Sequence, residues 1–167
     1  MTLRCRIRDA AIGDVEACVS LAVLAAPERS ATDWCASLLR DIQTPERQLV
    51  VADRDGEIVA YGRSRLFAPD TDAPPNTAPR GYYLTGLFVR ADQRRTGIGA
   101  ALTHERLDWI AERAPIAWFF SNARNTASIE LHRQFGFEEV TRKFFFPGLA
   151  FEGGEGILFC ARLKTRP

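Results

Sequence analysis

Residues 87–100 read Leu-Phe-Val-Arg-Ala-Asp-Gln-Arg-Arg-Thr-Gly-Ile-Gly-Ala, an apolar, β-prone run that meets a basic turn punctuated by glycine and then enters a helical segment. Such a junction binds anions. The backbone N–H groups that open a helix have no intrahelical acceptor, and the helix dipole adds positive potential where they converge. Gly97 and Gly99 carry no Cβ to hold a phosphate off the backbone. The spacing excludes the two commonest nucleotide loops: no lysine follows these glycines as a Walker loop requires, and position 102 is Leu where a dinucleotide fingerprint needs a third glycine. Further on, Asn125, Ser128 and His132 fall at i, i+3 and i+7, one stripe of a helix. Asn125 suits a helix cap, and His132 carries a side chain able to give and take a proton near neutrality.

Arg94-x-x-Gly97-x-Gly99 resembles the pyrophosphate loop of the GNAT superfamily of N-acetyltransferases. A second, independent segment, Asn125-Thr-Ala-Ser-Ile-Glu-Leu-His-Arg-Gln-Phe-Gly-Phe137, is similar to the Asn-x-x-Ala/Ser-x-x-Leu-Tyr-x-x-x-Gly-Phe run of the same family, in the right order. The two matches lie within residues 84–140. One position departs from the pattern: the family usually has tyrosine where this chain has His132. The resemblance implies acetyl-CoA as cosubstrate, with its pantetheine arm against Leu87, Phe88 and Val89. Its pyrophosphate would lie on Arg94, Arg95, Thr96, Gly97, Ile98, Gly99 and Ala100, with further cofactor contacts from Asn125, Ser128 and His132. It also implies a single domain over residues 1–167, with a mixed, mostly antiparallel sheet, helices on both faces, and a fourth strand splayed from the fifth to admit the cofactor. Gly86 sits where a bulge in that fourth strand would form easily.

The elements that must position these residues are readable from pattern. Arg4 to Asp9 alternates as a first strand, and Gly13 to Ala26 places Val15, Val19, Ala22 and Val23 at helical spacing before Pro27. Ser30 to Ile42 is a second helix with Trp34, Leu38 and Leu39 on one side. Gln48 to Asp53 and Glu57 to Phe67 form a hairpin about Asp55-Gly56. Ala68 to Arg80, with four prolines, is expected to be a mobile loop. Gly81 to Val89 is a strand, and a helix runs from Gly97 to about Glu112, its apolar stripe interrupted at Glu105. Ile116 to Phe120 reads as a short apolar strand covered on both faces. Asn125 opens a helix whose core face is expected to be Ala127, Leu131 and Phe135, stopped by Gly136. Strands over about Glu138 to Phe146 and Gly156 to Leu163 close the chain. The pattern is that of an α/β or α+β protein with one layer of sheet.

The whole chain sets bounds. Its 167 residues suit one domain, 26% are charged and 46% hydrophobic, and no apolar run approaches a membrane span. With 22 basic against 21 acidic residues, a nucleic-acid surface is not indicated. The N-terminus is too charged for a secretory signal, so the expected location is cytoplasmic. Cys5, Cys18, Cys35 and Cys160 form no Cys-x-x-Cys pair and read as small buried hydrophobes, and no metal site is expected.

Acetyl transfer to an amine requires the neutral amine, which for a lysine-like group at pH 7 is only about one molecule in 2,500. A general base is needed, and an acid to reprotonate the leaving thiolate. The thioester is already activated, so attack is direct, in a ternary complex, without an acyl-enzyme. His132, at about pKa 6.5 when unperturbed, is the expected acid. The strand Gly81-Tyr-Tyr-Leu-Thr-Gly-Leu lacks the carboxylate the family often has there. Candidates for the base are Glu28, Tyr82, Tyr83, Glu152 and Glu155. The expected activity is acetyl-CoA-dependent N-acetylation of a primary amine. Glu28, Asp70, Asp72, Glu152 and Glu155 lie on segments bordering the acceptor side in the family and point to a small cation such as a polyamine or aminoglycoside. A protein N-terminus or lysine, or an amino acid, is an alternative acceptor, and a non-catalytic acyl-CoA-binding module is an alternative from a different class. The resemblance leaves a homodimer open.

Overall fold

The computed structural model describes residues 5–151 and 153–164. The strands are β1 (Arg6–Asp9), β2 (Arg47–Arg54), β3 (Glu57–Phe67), β4 (Gly81–Val89), β5 (Ile116–Asn122), β6 (Glu138–Thr141) and β7 (Gly156–Arg162). The helices are α1 (Val15–Ala25), α2 (Ala31–Gln43), α3 (Ile98–Ala111) and α4 (Thr126–Arg133). The strand order is β1-β2-β3-β4-β5-β7-β6. Pairing is antiparallel at β1–β2, β2–β3, β5–β7 and β6–β7 and parallel at β4–β5, which gives the mixed, mostly antiparallel sheet that the sequence implied. The β4–β5 register covers Tyr82↔Ala117 to Leu84↔Phe119, while β4 itself continues to Val89. The chain forms two compact units, Met1–Arg65 with Thr85–Arg106, and Leu66–Leu84 with Leu107–Pro167.

In the first unit the β2–β3 hairpin turns at Asp55 and Gly56, at φ 54° and 87°. Both central residues thus take the left-handed conformation that suits a two-residue hairpin, and Asp53 Oδ1 accepts from Gly56 N–H at 2.9 Å. One face of this ladder packs Leu49, Val51, Ile58 and Tyr61 against Val15, Cys18, Leu21 and Ala22 of α1 and Leu38 of α2. The other face packs Val50, Ala52, Val59 and Ala60 against Ile98 and Leu102 of α3. The α1 stripe is therefore Val15, Cys18, Leu21 and Ala22 rather than the Val15, Val19, Ala22 and Val23 set expected, because Cys18, Leu21 and Ala22 fall at i+3, i+6 and i+7 from Val15 and form one face. Ser30 caps α2, accepting from Asp33 N–H at 3.1 Å.

In the second unit Leu84, Ala117, Phe119, Ile157, Phe159 and Ala161 share one core with Leu107, Ile110 and Ile129. The opposite core gathers Tyr83, Ala78, Phe146 and Leu158, with Phe67, Trp118 and Phe120 against it. Two expectations are corrected here. The buried residues of α4 are Ile129 and His132, and Ala127 is exposed. Isoleucine and a ring stacked on Phe119 bury more apolar surface than alanine could. The strand expected from Glu138 to Phe146 ends at Thr141, because Phe144 and Phe146 turn into the aromatic cluster ahead of Pro147-Gly148. The proline-rich loop is tied down at its end: Thr77 bridges Phe145, and Ala78 N–H donates to Phe145 O at 2.8 Å.

The four cysteines are unlinked; Cys18 is buried and the other three partly so. Burial pushes the Cys18 thiol up to about 12, which leaves it unreactive at neutral pH. Among the described residues no helix is long and apolar enough to cross a membrane.

Candidate functional site

In the first unit β4 leads through a short 3-10 turn, Ala91–Gln93, into the segment that opens α3. Arg90 anchors the turn by ion pairs to Asp92 and Glu57, both at 2.6 Å. Arg54 bonds Gln93, and Thr96 Oγ1 donates to Gln93 O at 2.6 Å. Arg95 and Gly97 stand at φ 62° and 87°. For Arg95 this is an unusual conformation held by the turn on either side; for Gly97 it is the reason glycine is there. The first helical N–H with an acceptor is that of Ala101, to Gly97 O at 3.0 Å. The N–H groups of Gly97, Ile98, Gly99 and Ala100 precede it and meet no acceptor among the described residues. Arg94 is exposed, and its Nε donates to Val89 O at 3.1 Å. The residues expected to hold a diphosphate thus form one turn, continuous with Leu87, Phe88 and Val89.

Beneath that strand lies a group that sequence pattern missed. Arg106, on α3, is 1% exposed. Its Nη1 donates to Arg63 O at 3.2 Å and Gly86 O at 3.3 Å, its Nη2 to Thr103 Oγ1 at 3.1 Å, and its Nε to Leu102 O at 3.3 Å. Burial pushes its pKa down to about 9, which leaves it charged at neutral pH. Gly62 makes room for it: a Cβ there would stand 2.9 Å from Arg106 Cδ. A Cβ at Gly86 would stand 3.0 Å from Arg63 Cδ. The signal in the sequence is the interruption of the apolar stripe of α3 at Glu105-Arg106, of which the arginine is the buried member.

In the second unit Asn125 Oδ1 accepts from Ser128 N–H at 3.3 Å, the cap its residue type suggests. His132 is 2% exposed, its ring stacked on Phe119 at 3.7 Å and 6°. Nδ1 lies 2.7 Å from Ser128 O. A carbonyl can only accept, so Nδ1 carries the hydrogen and, in the neutral ring, Nε2 is the acceptor. The stripe expected to stand apart from the core therefore includes a core residue. Tyr83 is fully buried and donates to Pro79 O at 2.7 Å. Burial pushes its phenol well above the usual range, which suits packing and not proton abstraction. Tyr82 meets the edge of Trp109 with ring centroids 5.4 Å apart. Glu155 is ion-paired to Arg142 at 2.7 Å. In the first unit Glu28 is exposed; Asp70 and Asp72 are exposed on the proline-rich loop, and Glu152 lies outside the described residues.

A mixed sheet whose fourth strand runs through a glycine turn into a helix is the arrangement of an N-acetyltransferase. The chain matches the acetyltransferase (GNAT) family model over residues 16–137 and belongs to that family. Its structure is similar to that of a ribosomal-protein-alanine N-acetyltransferase from Brucella melitensis, at 23% identity and TM-score 0.73, covering 95% of this chain and 99% of that one. A phosphinothricin acetyltransferase from Sinorhizobium meliloti in complex with AcCoA aligns at 18% identity and TM-score 0.72, covering 96% and 89%. The aminoglycoside 6'-N-acetyltransferase AAC(6')-Ih from Acinetobacter baumannii aligns at 19% and 0.68, covering 87% and 99%. No curated protein matches the sequence.

Proposed function

We propose that the chain acts as a single-domain, cytoplasmic N-acetyltransferase that transfers the acetyl group of acetyl-CoA to a primary amine by direct attack in a ternary complex. The observation that carries this reading is the turn at Gly97–Ala100, where successive N–H groups open a helix and Gly97 takes a conformation that side chains disfavour. The family match runs from residue 16 to 137 and so takes in residues of both units, which supports one functional domain. In this reading the N–H groups of residues 97–100, with Arg94 and Arg95, hold the diphosphate of the cosubstrate. The backbone of Leu87–Val89 pairs with its pantetheine arm, and Asn125, Ser128 and His132 serve the same cosubstrate from α4. The cosubstrate brings an activated thioester; this chain positions it and manages the protons. The acceptor is a small-molecule or protein amine.

His132 has two readings. With Nδ1 committed to Ser128 O, proton exchange at this ring runs through Nε2, which fits a residue that hands a proton to the leaving thiolate. Its burial and its stack on Phe119 favour the alternative, a core ring, with solvent protonating the thiolate.

The test of the cradle is Gly97→Val. A β-branched residue is disfavoured at φ 87° and places methyl groups among the N–H donors. Acetyl-CoA affinity measured by calorimetry is expected to fall at least about tenfold in a protein that still melts cooperatively. Unchanged affinity in the folded variant would remove the assigned cradle.

A further inference from the structure

The two faces of the sheet in the second unit are covered differently. One meets helices: Leu84, Ala117, Phe119 and Phe159 pack with Leu107, Ile110 and Ile129. The other brings in no helix residue among the described residues. Tyr83 and Leu158 pack there with Ala78, from the end of the proline-rich loop, and with Phe146, from the segment after β6.

That second face is lined with rings. Tyr83 and Phe146 form its buried floor, with centroids 5.4 Å apart. Phe67, Trp118, Phe120 and Phe144 lie against the floor and stay partly exposed. Phe120, Phe144 and Phe151 meet in every pairing, Phe120 at 6.4 Å from each of the other two and those two at 5.9 Å. Two glycines seat the outer rings: a Cβ at Gly81 would stand 2.7 Å from Trp118 Cδ1, and one at Gly156 would run into the ring of Phe151. The backbone is thus cleared to admit rings that the fold then buries only in part, and a contiguous apolar face of that kind marks a binding surface.

The wall starts where a strand pair ends. The β4–β5 ladder stops at Leu84↔Phe119, and Phe120 is the first residue of β5 beyond it. Side chains alternate there: Phe119 stacks on His132 of α4, and Phe120 turns to the wall. The rings bring no charge, and Glu155, one residue before Gly156, is ion-paired with Arg142 at 2.7 Å.

We propose that this aromatic wall receives the body of the acceptor, so that the substrate is a small arylalkylamine, a primary amine on a short chain from an aromatic ring, and not a polycation. This rests on the transferase reading above, in which α4 serves the cosubstrate from the opposite face of β5. A ring laid against Phe120, Phe144 and Phe151 gains offset or edge contacts as well as buried area. Spermidine on the same face would give up hydration at each of its charges for at most a cation–π contact in return.

The experiment is a matched panel, phenethylamine and tyramine against butylamine and spermidine, assayed by acetyl-CoA-dependent thiol release. The arylalkylamines are expected to exceed the other two in kcat/KM by at least about tenfold. Phe144→Ala removes a ring from the rim of the wall and leaves the floor in place. In that variant KM for phenethylamine is expected to rise about tenfold, while KM for butylamine and for acetyl-CoA stays put. Phe120→Leu carries the same expectation if Phe144→Ala does not fold. Butylamine or spermidine turned over as well as phenethylamine would overturn this assignment and leave the transferase standing. So would a folded variant in which phenethylamine and butylamine change equally or not at all. Absence of thiol release with every amine overturns the transferase reading and this assignment together.

Discussion

The imidazole of His132 lies flat on Phe119 and is tethered through one nitrogen, so its two candidate duties, packing and proton transfer, are separable by chemistry. His132→Phe keeps an aromatic ring in the stack and removes both nitrogens. The melting temperature is expected to hold within a few degrees while turnover falls about a hundredfold or more, the range of a lost proton donor. An unchanged turnover number assigns the ring to packing. Residue types alone could not weigh these duties. The spacing of Asn125, Ser128 and His132 marks a stripe, but which stripe faces the core depends on what α4 packs against, and Phe119 comes from a different element. Glycine and cap positions were legible for the opposite reason. Gly97, Gly56 and Asn125 answer to their own backbone, and local sequence fixes them.

At the scale of elements, α3 is joined to the strands by more than apolar contact. Arg106 reaches the carbonyls of Arg63 and Gly86 through a space that Gly62 leaves open. Arg106→Met leaves those carbonyls without that donor and is expected to lower stability by about 1–3 kcal/mol, read from the urea midpoint. Gly62→Ala drives a methyl group against a pinned side chain and should cost a similar amount. The double variant replaces the guanidinium with a softer neighbour for that methyl group, so the two losses are expected to be less than additive. Additive losses would show that the residues do not depend on one another. The boundaries of these elements were largely legible because turns and periodicity announce them. Strand β6 was not, since nothing in Phe144-Phe145-Phe146 distinguishes a ladder from an aromatic cluster until the partners are in place.

For the molecule as a whole, the response to acid follows from where its carboxylates are held. Asp14 accepts from Arg8 at 2.7 and 3.0 Å and from Ala11 N–H at 2.8 Å, joining β1 to the turn before α1. The Arg8 guanidinium, with the backbone N–H of Ala11, holds its carboxyl below the usual range. A depressed pKa contributes stability above the unfolded value, near pH 4, and that contribution is lost as pH falls through the folded one. Asp14→Asn is therefore expected to lower stability by about 1 kcal/mol at pH 7, a modest figure for a partly exposed pair. The deficit should close below about pH 4, where the wild type loses the same interaction. A constant deficit across that range would place the effect in packing. The fold class and the glycine turn that opens α3 were legible in the sequence because both are written in contiguous runs. The meeting of Arg47 with Arg65 was not, since the two become neighbours only when β2 and β3 pair.

The fit between Gly62 and Arg106 also couples the ways in which this chain can change. A Cβ at position 62 would meet Arg106 Cδ and Nε at 2.9 Å, and four hydrogen bonds keep that side chain from swinging aside. A lineage that enlarges residue 62 first must pass through a clash. One that shortens residue 106 first passes through a void and a lost set of hydrogen bonds, which a stable ancestor can tolerate and a marginal one cannot. Chains that keep Arg106 are therefore expected to keep glycine at 62.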